Sequence, residues 1–222
     1  MGDGDKLAGN PRRALGLNLK RAKSGRNVVH AVAGVKFSAE APPSIELCRP
    51  RTCPRCKAAA REPGRPLAVI GHGVRERQVR GPAAPGERPG VSVILVRRFL
   101  CLVCKAVMTV VPKGVLAGRL FSGPAILLGL FLWGVGAQSQ EKVRAAINPW
   151  SGLGSRGWRA LNRWTRAAVS RALWASQPPS SGTGVSVRQM ARAVVEQVWA
   201  GGRSASRESL TAESVWRAAS GL

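Results

Sequence analysis

The chain is poor in acids and nearly free of histidine. Aspartate and glutamate total 11 of 222 residues, and the only histidines are His30 and His72. The two aspartates, Asp3 and Asp5, both lie in the N-terminal tail. Past Cys104 the acids are Glu141, Glu196, Glu208 and Glu213, spread along the chain and not clustered on one expected helix. Two-metal nuclease or strand-transfer chemistry requires several carboxylates converging on Mg²⁺, and the sequence does not supply such a cluster. A Ser/His/Asp arrangement has no suitable histidine. No Walker A loop and no glycine-rich dinucleotide fingerprint is present. The expectation is a protein that is not an enzyme and has no small-molecule substrate.

Long apolar runs are also missing. The first 20 residues lack the apolar segment of a secretory signal. The most hydrophobic stretch, residues 122–137, is short of the roughly 20 residues needed to span a bilayer and is interrupted by glycines. It is expected to be a core helix buried on most sides, with Ser122 as N-cap and Pro124 near the first turn. These features predict a cytoplasmic protein without a membrane segment.

Basic charge, in contrast, is abundant. Lys and Arg total 35, giving a formal net charge of +24. A compact state of that charge repels itself unless polyanions screen it, and a basic footprint is the first signature of a nucleic-acid-binding chain. Compositional bias toward Arg, Ala, Gly and Pro contributes to the excess but does not account for the scarcity of acids.

The five cysteines are not scattered. Cys53-Pro54-Arg55-Cys56 and Cys101-Leu102-Val103-Cys104 are paired Cys-x-x-Cys knuckles. In each, a two-residue gap lets one tight turn aim both thiols at the same ion, and two such pairs supply the four ligands that tetrahedral zinc requires. Residues 57–100 separate the pairs, more than the roughly 15–20 residues of common zinc patterns. The loop at residues 81–90, with three prolines and three glycines, is expected to absorb much of the excess, since loop length costs little entropy. Around it, residues 67–70 form a short apolar run that Gly71-His72-Gly73 breaks, residues 91–96 read as a β-branched strand, and residues 107–111 as another. Disulfide or thioredoxin-like redox use is the competing reading; it lacks an oxidising-compartment signal and a βαβ context. Cys48 is a possible substitute ligand for Cys53, and His72, flanked by glycines, reads as a turn residue.

Beyond the knuckles the pattern turns helical. Residues 138–147 and 156–174 read as two helices separated by the turn at residues 148–154, with Ser155 as a cap. The second carries Arg156, Arg159, Arg163 and Arg166 at spacings of three and four, so all four share one face, while Trp158, Leu161, Thr165, Ala168 and Ala172 form an inward stripe. Arg156 and Arg159 are the expected base-reading residues, Arg163 and Arg166 the phosphate contacts; an ordinary solvated face is the alternative. Residues 177–184 read as a linker, and residues 185–199 and 209–219 as further amphipathic helices. The predicted organisation is therefore α+β: a basic, largely disordered tail (1–47) in which residues 28–37 form a short strand or nothing, a small zinc-ribbon β domain (48–112), a helix-turn-helix domain (113–176), the linker, and C-terminal helices (185–222).

The run Cys53-Pro54-Arg55-Cys56, Gly71-His72-Gly73-x-Arg75-x-Arg77-x-Val79, Val96-Arg97-Arg98-Phe99-x-Cys101-x-x-Cys104 and Thr109-Val110-x-Pro112 resembles the zinc-ribbon region at the N-terminus of many bacterial insertion-sequence transposases and their short relatives. The resemblance covers residues 52–174. Its specific part is the cysteine pairs, and the loop at 81–90 is longer than the pattern expects. It implies a ribbon followed directly by a helix-turn-helix, the two binding double-stranded transposon-end DNA; together with the knuckle spacing and the scarcity of acids, the expectation is a DNA-binding protein with structural Zn²⁺ on Cys53, Cys56, Cys101 and Cys104 and no catalytic domain. The other reading is a protein- or RNA-interaction zinc module associated with transcription.

Overall fold

The computed structural model describes residues 27–32, 34–150, 157–170, 173–174, 184–201 and 209–221. Among them, ten elements run β1 (Val28–His30), α1 (Ile45–Cys48), β2 (Val69–Gly81), β3 (Gly90–Cys101), β4 (Val107–Val111), α2 (Gly123–Gly134), α3 (Gln140–Ile147), α4 (Arg159–Val169), α5 (Val187–Gly201) and α6 (Ala212–Gly221). The fold is mixed α+β, with one four-stranded sheet followed by a helical layer.

The sheet has the order β1-β4-β3-β2, with β2–β3 and β3–β4 antiparallel and β1 parallel to β4. Within the expected tail, Val28–His30 form β1 and Ile45–Cys48 form α1. Val28 and Val29 pair with Thr109 and Val110, and Ala31 donates a backbone hydrogen bond to the Val111 carbonyl at 2.8 Å. Three residues cannot hold a strand alone, but the free edge of β4 supplies partners. Residues 1–26 lie outside the described residues.

Two further expectations change. Gly71-His72-Gly73 does not end the strand. It forms an irregularity in the register between Gly71 and Val74, with Gly73 at φ 91°, and β2 continues past it because β3 pairs on both sides. The extra residues between the knuckles go chiefly into strand length rather than into the loop: β2 has 13 residues and β3 has 12. At about 3.4 Å per residue, the hairpin reaches on the order of 40 Å from the cysteines.

That reach brings the hairpin's far end onto the helical layer. Arg80 N–H donates to the Leu120 carbonyl at 2.8 Å, and Ser122 N–H donates to the Arg80 carbonyl at 3.2 Å. Arg77 turns inward, its guanidinium donating to the Leu116 and Arg119 carbonyls at 2.6 and 2.8 Å. Gly81, at φ 119°, lies against Ala125 so closely that a Cβ there would collide with the Ala125 methyl.

The helical layer is built around α2, which packs against α3, α4, α5 and α6. Ser122 caps it, accepting from Ala125 N–H at 3.1 Å, with Pro124 in the first turn as the sequence predicted. Ile126, Leu127 and Leu130 are fully buried, and Trp133 nearly so. At the other end Arg188 of α5 donates to the carbonyls of Trp133 and Gln138 at 2.7 and 3.1 Å, a cation placed where the α2 dipole favours one. Leu161 of α4, Val194, Val195 and Val198 of α5, and Val215 and Ala219 of α6 share this one core. The C-terminal helices are therefore not a separate appendage. Gly134 makes the α2–α5 approach possible, since a Cβ there would stand 2.7 Å from the Arg192 backbone nitrogen.

Candidate metal centre and basic helix face

Each knuckle is a backbone turn of the same design. Cys53 N–H donates to the Ala58 carbonyl, and Cys101 N–H to the Ala106 carbonyl, both at 2.9 Å. The residue after the second cysteine is left-handed in both, Lys57 at φ 64° and Lys105 at φ 56°. The sheet brings the two turns together. Val69 at the start of β2 pairs with Cys101 at the end of β3, and Leu102 N–H donates to the Ala68 carbonyl at 2.8 Å. The first knuckle is tied in by Ala60, which donates to Arg51 and accepts from Ala68.

As a result the four sulfurs of Cys53, Cys56, Cys101 and Cys104 all lie within 4.8 Å of one another. The close pairs cross between the knuckles: Cys53 Sγ to Cys104 Sγ is 3.6 Å and Cys56 Sγ to Cys101 Sγ is 3.7 Å. A disulfide needs about 2.05 Å, and all the cysteines are free. A regular tetrahedron with bonds of about 2.3 Å to its centre has edges of about 3.8 Å, so the observed spacing suits a divalent ion held by four thiolates. Cys53 and Cys101 are fully buried, Cys104 is half-buried and Cys56 is exposed, so one thiol of each turn faces the core and the other faces outward. Behind them lie Val69, Phe99, Met108 and Val110, a small apolar core that shields the inner side.

Thiol acidity is strongly perturbed here. Burial pushes Cys53 up, but backbone N–H donors at Cys56 and Arg55 and hydrogen bonds from the Cys104 and Cys56 thiols outweigh it and bring the thiol down to about 7. Cys56 gains a lowering bond from Ala58 N–H, yet desolvation and the neighbouring thiols of Cys104, Cys53 and Cys101 push it up to about 12. One sulfur in the group gives up its proton readily, and a second anion beside it is resisted. A cation at the centre would favour the thiolate forms of Cys53 and Cys56 together.

Cys48 is not part of the group. It is buried in the apolar core, where desolvation raises its pKa. His72 is exposed on the β2 irregularity and is not among the clustered side chains.

The predicted basic helix is shorter than its pattern. Gly157 is at φ 71°, where a helix cannot pass, and Trp158 N–H is taken by the Gln140 side-chain oxygen at 2.8 Å. Hence α4 begins at Arg159, with Trp158 as its cap residue and no side-chain cap bond. Arg156, the first of the predicted base-reading residues, lies outside the described residues, as do Ser155 and Ala172. Arg159, Arg163 and Arg166 are exposed and fall on one side of α4, and α4 itself carries no acid. Its inner side is as expected: Leu161 and Thr165 are fully buried, Trp158 and Ala168 nearly so. Trp164 stacks edge-on against Phe121 and Trp158, both at 5.1 Å between ring centres, and fixes α4 to the start of α2.

The connection from α3 to α4 covers residues 148–158, longer than the turn of about three or four residues in a helix-turn-helix. The two helices meet mainly through α2, so α4 is held as a surface helix of a bundle. Sequence reasoning missed Lys57 and Lys105. The signal was available, since both occupy the position immediately after a knuckle. It also did not separate structural from surface cations: Arg77, Arg97 and Arg188 spend their guanidinium groups on backbone carbonyls.

No protein-family model, curated protein or solved structure matches this chain. What fold and site together define is a mixed α+β protein with a tetracysteine group able to hold a metal ion. Among the described residues no helix is long and apolar enough to cross a membrane.

Proposed function

We propose that this chain is a zinc-stabilised DNA-binding protein, in which the tetracysteine group holds structural Zn²⁺ and α4 offers duplex DNA a row of arginines. The observation that carries the reading is the exposed, acid-free row Arg159, Arg163 and Arg166 on a chain of net charge +24. Zinc is favoured over other divalent ions by four thiolate donors in tetrahedral spacing. The metal's role is to fix the knuckle end of the sheet; the protein's own cations then do the binding. Arg55, Lys57 and Lys105 are exposed on the knuckles themselves and would balance the negative charge of a tetrathiolate zinc. The β2–β3–β4 meander with its two knuckles is read as a zinc ribbon, and the resemblance to transposase end-binding regions fits that reading.

No catalysis is assigned: Glu141, Glu196 and Glu213 lie on α3, α5 and α6, one on each. A second reading, contact with a protein partner, is favoured by Leu102 and Val103, exposed at the tip of the second knuckle at 39% and 63%.

The test is duplex binding as a function of salt, for wild type and for a triple Arg159→Ala, Arg163→Ala, Arg166→Ala variant. If these side chains meet phosphates or bases, the variant binds more weakly, and its salt slope falls by about one unit for each phosphate that an arginine no longer neutralises. A folded triple variant that binds duplex DNA as wild type does would leave α4 a solvated surface.

A further inference from the structure

A cavity of about 380 Å³ opens where the hairpin tip, the segment between β4 and α2, and α6 come together. It has no connection with the cysteine group, which sits at the other end of the hairpin. Three cations line it, Arg80 on β2, Arg88 on the loop and Lys113 after β4, and no carboxylate among the described residues does. Trp216 of α6 contributes an aromatic wall, and Ser92 and Ser122 contribute hydroxyls. Like charges gathered in one concave site repel, and the low-dielectric walls strengthen that repulsion. Such an arrangement is explained most simply by an anion that enters it. Arg80 is held there by a neutral partner, its guanidinium donating to the Gln78 side-chain oxygen at 3.3 Å.

The shape narrows the class. The volume falls in the range of small-ligand sites, roughly 300–1,000 Å³, and exceeds what an inorganic anion alone needs. Arginine presents a planar fork suited to phosphate oxygens, and an indole beside it suits a planar base. We infer that this cavity binds a nucleoside monophosphate, its phosphate on Arg80, Arg88 and Lys113 and its base against Trp216. The inference stands apart from the reading of α4 as a duplex contact, because none of these residues is on α4.

Equilibrium dialysis of the full chain against AMP, GMP, adenosine and inorganic phosphate tests it, at physiological salt to suppress non-specific attraction. The expected result is saturable AMP or GMP binding at least about tenfold tighter than either adenosine or phosphate alone. Arg88→Gln, on an exposed loop residue, weakens it by about tenfold or more without changing the thermal midpoint, since the phosphate then has one cation fewer to hold it. Trp216→Leu removes the preference for nucleotide over phosphate. Arg163→Gln, on α4, leaves binding unchanged. Equal binding of AMP and phosphate, AMP binding indifferent to Arg88→Gln, or no saturation at millimolar AMP and GMP would each overturn the inference.

Discussion

Gly81→Ala is expected to loosen the joint between sheet and helical layer. Gly81 sits at φ 119°, a backbone conformation essentially closed to residues with a Cβ, and holding alanine there costs of order 1–3 kcal/mol. The new methyl would also overlap that of Ala125, which is fully buried on the first turn of α2 and has no rotamer to escape into. Overpacking of that kind typically adds about 1–3 kcal/mol. Stiffening of the unfolded chain returns roughly 0.4–1 kcal/mol. The net destabilisation is therefore about 1–5.5 kcal/mol. The two causes separate in a double-mutant cycle. Ala125→Gly costs about 1 kcal/mol by helix propensity alone, but combined with Gly81→Ala it removes the collision and not the backbone strain. The double variant should then be more stable than the sum of the singles by about 1–3 kcal/mol. Urea unfolding followed by tryptophan fluorescence and far-UV circular dichroism reads both quantities. A Gly81→Ala variant within about 0.5 kcal/mol of wild type, the usual size of a neutral surface change, would refute the described approach of Gly81 to Ala125. Strict additivity would place the cost in the backbone and not in the collision.

The knuckles give two further outcomes. Cys56→Ser should abolish stoichiometric metal binding and unfold the sheet end, because a structural zinc site contributes on the order of 10 kcal/mol to folding, whereas Cys48→Ser, outside the group, should keep the metal and weaken only core packing; metal analysis and thermal melts check both. Lys57→Gly or Lys105→Gly should be neutral to mildly stabilising, because the left-handed conformation costs a residue with a Cβ roughly 1 kcal/mol that glycine does not bear, while Lys105→Val should lower the melting temperature; equal behaviour of glycine and valine there would contradict the knuckle geometry.

The cysteine group was legible in the sequence because its information is local. Two Cys-x-x-Cys turns carry their own geometry, and a hairpin between them is the simplest way to bring them together. The buried helix α2 was legible for a similar reason: a run apolar on every side, with Ser122 and Pro124 at its start, specifies burial before any partner is known. What failed to show depended on partners distant in the chain. Val28-Val29-His30, which the sequence leaves as a short strand or nothing, is a strand only because β4 offers an edge. The glycines at 71 and 73 look like a break until β3 is seen pairing on both sides of them. The start of α4 turned on Gly157 and on a hydrogen bond from Trp158 to Gln140 of α3, and neither alters the arginine periodicity that marked the helix. The close approach of α5 to α2 rests on the bare backbone of Gly134 against Arg192, an approach to which hydrophobic spacing is blind.

The most direct measurement is zinc stoichiometry of the purified chain together with its zinc X-ray absorption spectrum. One zinc per chain with four sulfur neighbours at about 2.3 Å is expected, absent from Cys56→Ser and retained in Cys48→Ser. A chain that folds with no bound metal, or a zinc surrounded by nitrogen and oxygen instead of four sulfurs, would contradict it.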